Sequence, residues 1–120
     1  MFHSTHVFTG ETIYCRPAQS YTEFTDELNR LQTLQQTFAQ SSITERTALL
    51  QQFADSLTQN QERLAEMACE EVGRCLHECR AEISKSIELI RYYVRLAPEL
   101  LAHKTIATQA SLSQVRFEPL

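Results

Sequence analysis

Glycine is scarce in this chain: among 120 residues only Gly10 and Gly73 occur, and neither belongs to a glycine-rich run. A backbone that approaches a dinucleotide pyrophosphate at a helix N-terminus needs glycines in the strand-to-helix turn. No such turn is present, so the chain contains no mononucleotide-binding fold of the usual kind. The rest of the chain reads as elements of regular secondary structure.

Those elements are legible from capping and periodicity. Residues 5–15 are β-branched and aromatic around Gly10 and read as a short hairpin arm that Pro17 closes. Ser20 with Glu23, and Ser42 with Glu45, have the spacing of capping boxes and open two helices. The first carries an apolar stripe at Phe24, Leu28, Leu31, Leu34 and Phe38; the second carries Leu49, Leu50, Phe53, Ala54 and Leu57. Asn60 reads as the N-cap of a third helix, with Leu64, Ala65, Met67, Ala68 and Val72 as its stripe and Gly73 as its C-cap.

The fourth helix, 76–101, follows one seam through Leu76, Cys79, Ile83, Ile87, Ile90, Val94, Ala97 and Leu101. Leu89, Tyr92, Tyr93 and Leu96 widen it until the helix demands cover on more than one side. Pro98 lacks an amide hydrogen and should kink this helix or begin a short extra turn. From Thr105 the period changes to two. Ser113, Val115 and Phe117 alternate with Gln114, Arg116 and Glu118, as in a strand with no evident sequence neighbour. The fold class expected is mainly α, with an N-terminal β-hairpin arm, three to four amphipathic helices and a C-terminal strand. The divisions are 1–19 for the arm, 20–104 for the helical segment and 105–120 for the terminal strand region.

Charge and cysteine content narrow the function classes. The net charge is −4, and arginines alternate with glutamates at helical spacing, giving the expected pairs Glu70/Arg74, Glu82/Lys85 and Glu88/Arg91. A phosphate-binding stripe is absent from that pattern, which argues against nucleic acid. No apolar run reaches the ~20 residues that span a bilayer, and Met1 to Ser4 does not begin a secretory signal. Four cysteines in a chain of this size fit a reduced cytoplasmic setting.

Local chemistry is thin. Cys75 and Cys79 lie one turn apart with Cys69 upstream, but His77 points to another face, so no metal site is assigned. Cys79 reads as a core residue and the other cysteines as surface thiols. None has a base or oxyanion donors beside it, as a nucleophile would require. Glu70-Glu71 and Glu78/Glu82 read as a solvated face rather than an acid/base pair. The Tyr92-Tyr93 pair reads as core packing with the hydroxyls outward. On the residues alone, the chain is an acidic helical segment with unsatisfied packing faces and no active site.

Taken in order, several segments resemble the N-terminal region of the aldehyde dehydrogenase superfamily. Thr9-Gly10-Glu11-Thr12-Ile13 resembles its hairpin turn, and Thr44-Glu45-Arg46-Thr47-Ala48-Leu49-Leu50 its helix start. Glu71-Val72-Gly73-Arg74, Ala81-Glu82-Ile83, Arg91-Tyr92-Tyr93 and Arg116-Phe117-Glu118-Pro119-Leu120 are similar to four further family segments, in family order. Ala81-Glu82-Ile83-Ser84-Lys85-Ser86 and the ending Val115–Leu120 look closest to the succinate-semialdehyde type. Departures occur at Ser41, where the family often has Trp, at Arg74 for Lys and at Cys75 for Pro.

The resemblance implies an α/β parent enzyme that oxidises an aldehyde with NAD or NADP through a catalytic Cys and a Glu base. None of those residues, and no cofactor site, matches a position here, so no catalytic, cofactor-binding or metal residue is assigned. The resemblance implies that Ala81, Ser84 and Lys85 line the substrate tunnel, and that the backbone near Glu71 is similar to a structural cation site of some members. It also implies that Val115 and Phe117 belong to the first strand of an oligomerisation hairpin. The expected partner is the remainder of the parent enzyme or a further copy, met through that strand and the apolar helix 76–101. The chain thus reads as an N-terminal fragment, inactive alone; the alternative is a stand-alone helical interaction module that keeps the scaffold without catalysis.

Overall fold

The computed structural model describes residues 1–118. Strands β1 (Phe2–Thr5) and β2 (Thr12–Arg16) form an antiparallel hairpin, followed by helices α1 (Tyr21–Phe38), α2 (Ile43–Gln59), α3 (Gln61–Val72) and α4 (Leu76–Leu100). A second antiparallel pair closes the described chain: β3 (Lys104–Thr105) with β4 (Gln114–Val115).

Both serine caps form as the sequence dictates. The Ser20 side chain accepts from the Glu23 amide, and the Glu23 carboxylate accepts from the Ser20 amide at 2.7 Å. Ser42 and Glu45 repeat that geometry at the start of α2. Each box satisfies amides that a helix start otherwise leaves unpaired. Gly73 ends α3 in left-handed backbone, φ 76°, with its amide donating to the Cys69 carbonyl.

Asn60 behaves differently from the expectation. Its side chain makes no cap to α3; its Nδ2 donates back to the Ser56 carbonyl at 2.8 Å. With one residue between α2 and α3, the side-chain amide joins the Asn60 backbone amide on the Ser56 carbonyl instead of turning forward onto α3. Pro98 is carried inside α4, which ends two residues later with the Leu101 amide on the Ala97 carbonyl.

The arm spans more than residues 5–15. Its pairing begins at Phe2↔Arg16, and residues 6–11 form the turn, held by the His6 amide on the Glu11 carbonyl and the Gly10 amide on the His6 carbonyl. The tip docks on α3: the Val7 amide donates to the Glu70 carbonyl at 2.9 Å, and Ser4 Oγ donates to Glu71 Oε1.

α4 is the central element, packed by α2 and by α3. The contact points are small: Ala54 of α2, Ala65 of α3 and Cys79 of α4 are fully or almost fully buried, and Ile87 adds the one large side chain. Small residues let the helices approach closely, but they bury little apolar surface. Polar ties cross the same seams. Arg91 of α4 bonds Asp55 and Thr58 of α2 at 3.1 Å each, and Arg80 forks onto Glu62 of α3. The intrahelical pairs expected for Arg74 and Arg91 are replaced by Arg74–Glu82 and Arg91–Asp55, because the helix packing puts those acids within closer reach.

α1 stands apart. It buries none of its residues, packs on no other element to a comparable extent, and leaves Phe24, Leu28, Leu31, Leu34 and Phe38 between 45% and 50% exposed. The radius of gyration is 20.6 Å, against about 14 Å for a compact domain of this length. The accessible surface is 9670 Å², about 3000 Å² above that of a folded monomer of this mass. The sequence calls for cover on these faces, and the chain's own elements do not supply it.

Candidate functional site

Because α4 is held on one side by α2 and α3, its opposite side presents a second face. Lys85 lies about 200° around the helix from Ile83, and likewise from buried Ile87. Along that outer face Lys85, Glu88, Leu89, Arg91, Tyr92 and Arg95 line an open groove of about 480 Å³. A neighbouring cleft of about 160 Å³ is lined by Thr58, Gln61, Ser84, Ile87, Glu88 and Arg91. Glu88 and Arg91 form the wall between the two.

The three residues expected to line a substrate tunnel stand at different places on α4. Lys85 lines the larger groove and Ser84 the smaller cleft, while Ala81 is exposed one turn before Lys85 and lines neither. Ser84 is fixed from α3, since Gln61 Nε2 donates to Ser84 Oγ at 2.6 Å. That bond occupies the oxygen as acceptor and leaves the hydroxyl hydrogen to donate.

Charge in the groove is unevenly compensated. Arg91 is committed to Asp55 and Thr58. Among the described residues Lys85 and Arg95 make no ion pair, although Glu82 and Glu88 flank Lys85 at helical spacing. Glu82 is instead engaged by Arg74. The groove therefore offers two unpaired cations beside Leu89 and Tyr92. Neither Arg95 nor the groove stands out in the sequence; the i, i+3, i+7, i+10 spacing of Lys85, Glu88, Tyr92 and Arg95 is its available signal.

Tyr92 and Tyr93 meet edge-to-face at 5.3 Å, and each is about half exposed, so the pair lies at the surface rather than in the core. Cys79 is 1% exposed, and burial pushes its thiol up from the ordinary cysteine range, the reverse of an activated nucleophile. Cys15 and Cys75 are exposed, Cys69 is half-buried, and all four thiols are free. The Arg80 fork holds the Glu62 carboxyl below its usual range, which keeps that acid ionised and structural. Glu71 is bonded by Ser4 on the arm, and among the described residues no group of three or more His, Cys, Asp or Glu side chains could hold a metal ion.

The two left-handed glycines sit in the arm's turn and at the end of α3, and the helices start from Ser20, Ser42, Asn60 and Cys75. These residues do not fit a dinucleotide phosphate, which needs glycine amides entering a helix. Near the end of the described chain, β4 is not a lone strand. It pairs with β3, Lys104↔Val115 and Thr105↔Gln114, across a turn held by the Ile106 amide on the Ser113 carbonyl. Val115 and Phe117 are both exposed, with Phe117 beyond β4; Pro119 and Leu120, the last two residues of the strand region expected over 105–120, lie outside the described residues. Among the described residues no helix is long and apolar enough to cross a membrane.

The described chain thus comprises an arm docked on α3, a central α4 with one face packed and one face grooved, and an uncovered α1. The sequence model of the aldehyde dehydrogenase family matches residues 1–120, and the chain belongs to that family. It is 26% identical over 119 residues to a succinate-semialdehyde dehydrogenase [NADP(+)] of Deinococcus radiodurans, covering 99% of this chain and 25% of that protein. It is 30% identical over 112 residues to a probable succinate-semialdehyde dehydrogenase [NADP(+)] of Synechocystis sp., covering 93% of this chain and 25% of that protein. The chain spans about a quarter of the length of these relatives. Its fold is shared with the crystal structure of a succinic semialdehyde dehydrogenase from Streptococcus pyogenes in complex with NADP+. The TM-score there is 0.84 at 21% identity, covering 95% of this chain and 25% of that one.

Proposed function

We propose that these residues are the N-terminal scaffold of an NADP-dependent aldehyde dehydrogenase that oxidises succinate semialdehyde to the acid, and that they do no chemistry alone. The observation that carries this reading is the accessible surface, about 3000 Å² more than a folded monomer of this mass exposes. An excess of that size is on the scale of obligate, largely apolar interfaces. The α1 stripe and the outer face of α4 then pack against the remainder of the same enzyme, which brings the catalytic cysteine, the glutamate base and the cofactor cradle. Both relatives above are named for the same aldehyde and cofactor, which supports the substrate and the preference for NADP over NAD.

The same reading gives Val115 and Phe117 to an interface between enzyme copies, and Ala81, Ser84 and Lys85 to the approach that the aldehyde takes. Four free thiols fit a cytoplasmic enzyme. The test is a rate assay on the enzyme that carries these residues, following NADP+ reduction with succinate semialdehyde. Turnover that saturates with the aldehyde supports the proposal. Absence of NADP+-linked or NAD+-linked turnover, with this chain instead found bound to an unrelated protein, favours the stand-alone interaction module.

A further inference from the structure

We infer that Cys69 and Cys79 form an oxidisable dithiol, which a hydroperoxide converts to a disulfide tying the end of α3 to the start of α4.

Register places the two residues on facing sides of one helical hairpin. α3 and α4 run antiparallel across the short link Gly73 to Cys75, tied by Arg80 on Glu62 and by Gln61 on Ser84. From those ties towards the link, Ala65 and then Ala68 and Cys69 come round on α3, while Cys79 and then Leu76 do so on α4. Ala65 and Cys79 are buried, and Leu64 and Ala68 share one apolar groove with Cys79. Small facing residues let helix axes approach to about 8 Å. That brings facing Cα atoms within the roughly 4.4–6.8 Å that a disulfide spans.

Electrostatics agrees with the register. After burial, Cys69 does most to push the Cys79 thiol up, ahead of Glu82 one turn along α4 and of Glu78 beside it. Coulomb influence falls with distance, so a group on another helix that outweighs both carboxylates stands close. Cys75 is the wrong partner for Cys79. Residues one turn apart along a helix hold their Cβ atoms about 5–6 Å apart, beyond the ~3.5–4.5 Å of a disulfide. Among the described residues no third ligand joins the pair to hold a metal ion.

Exposure assigns the order of events. Cys69 is half-buried and meets the oxidant, whereas Cys79, 1% exposed, is reached only from Cys69. The Cys69 thiolate attacks one oxygen of hydrogen peroxide, the O–O bond breaks, and hydroxide leaves with the thiol's proton as water. Cys69 is then a sulfenic acid. The Cys79 sulfur attacks the Cys69 sulfur, the S–S bond forms as the S–O bond breaks, and hydroxide leaves with the Cys79 proton as a second water. Two thiols are oxidised and one peroxide is reduced. Contact across the helix pair offsets the small thiolate fraction that burial leaves Cys79. The bridge lies under the arm, whose Val7 amide is held by the Glu70 carbonyl next to Cys69, and so fastens the arm's seat.

The experiment treats the native enzyme carrying these residues with hydrogen peroxide, blocks the remaining thiols and maps tryptic peptides by mass spectrometry. Cleavage after Arg63, Arg74 and Arg80 puts Cys69 in one peptide and Cys75 with Cys79 in the next. The two peptides should appear joined, with a mass lower by two hydrogens than that of their reduced forms together. Cys75→Ser, at an exposed position, should keep the joined pair at the unsubstituted yield. Cys69→Ala should abolish it, and Cys79→Ala should leave Cys69 as a sulfenic acid that a dimedone probe captures. In the bridged protein the Val7 amide should exchange more slowly than in the reduced one.

Loss of the joined pair in Cys75→Ser, a bridge between Cys75 and Cys79, or oxidation of Cys69 without a bridge overturns the assignment, as does a peroxide-treated enzyme that keeps both thiols. Val7 exchange unchanged by the bridge overturns its hold on the arm.

Discussion

Replacing Gly73 by alanine probes the joint between the arm and the helices. Gly73 holds φ 76°, and a β-carbon there would stand 2.9 Å from Val7 Cγ1 and 3.5 Å from Val7 Cγ2. Left-handed backbone costs an alanine about 1–2 kcal/mol. The Val7 contact adds roughly 1 kcal/mol, because a β-branched side chain cannot swing aside freely and must move with the arm. Gly10 is the internal control: it has the same φ of 76° but nothing within 4 Å of its β-carbon position.

The Val7 amide, bonded to the Glu70 carbonyl, reports undocking of the tip directly by hydrogen exchange. Gly73→Ala should accelerate its exchange about fivefold more than Gly10→Ala does, the equivalent of roughly 1 kcal/mol. Adding Val7→Ala to Gly73→Ala should recover that difference. Equal acceleration by the two glycine substitutions would refute the claim that the arm is seated against Gly73.

Further outcomes follow from the caps, thiols and packing. Ser20→Ala and Ser42→Ala should each destabilise their helix by about 1 kcal/mol, read as a drop in urea midpoint by circular dichroism. The Ser20 amide, and after it the Ser20 hydroxyl that alanine removes, hold the Glu23 carboxyl below its ordinary value, and Ser42 does the same for Glu45. A depressed folded value means that this stabilisation is complete above the unfolded value, roughly pH 4.3, and is lost as pH falls through the folded one. A pH titration of helicity in the two alanine variants should therefore lose part of its acid-side slope. Exposed Cys15 and Cys75 should react with a thiol reagent in the native protein, whereas Cys79 should react only after denaturation, as counted by mass spectrometry. In small-angle scattering the isolated chain should show a radius of gyration near 20.6 Å if monomeric, or a larger one if the α1 stripes associate.

Legibility of the sequence tracked the range of the interactions involved. The serine capping boxes, the Gly73 cap and the arm's hairpin are set by contacts within a few residues, and each formed where its residues stand. What the sequence did not disclose depends on residues far apart. Asn60 turned back to Ser56 because α3 follows α2 at once. Arg74 and Arg91 found acids that only packing brings near. The two-residue strand at Lys104 has no periodicity to read, so its pairing with Gln114–Val115 was not visible. Lys85 and Ser84 were singled out by resemblance, yet their separation into two clefts, and the groove shared with Arg95, required the helix in three dimensions.

In the proposed function these residues give an aldehyde dehydrogenase its scaffold and none of its chemistry. Reduction of NADP+ by succinate semialdehyde tests it, measured for the purified 120-residue chain and for the same chain joined to the remainder of the enzyme. The joined protein should turn over, and the 120-residue chain should show no rate above the background without protein. Sustained NADPH formation by the 120-residue chain alone would contradict the account.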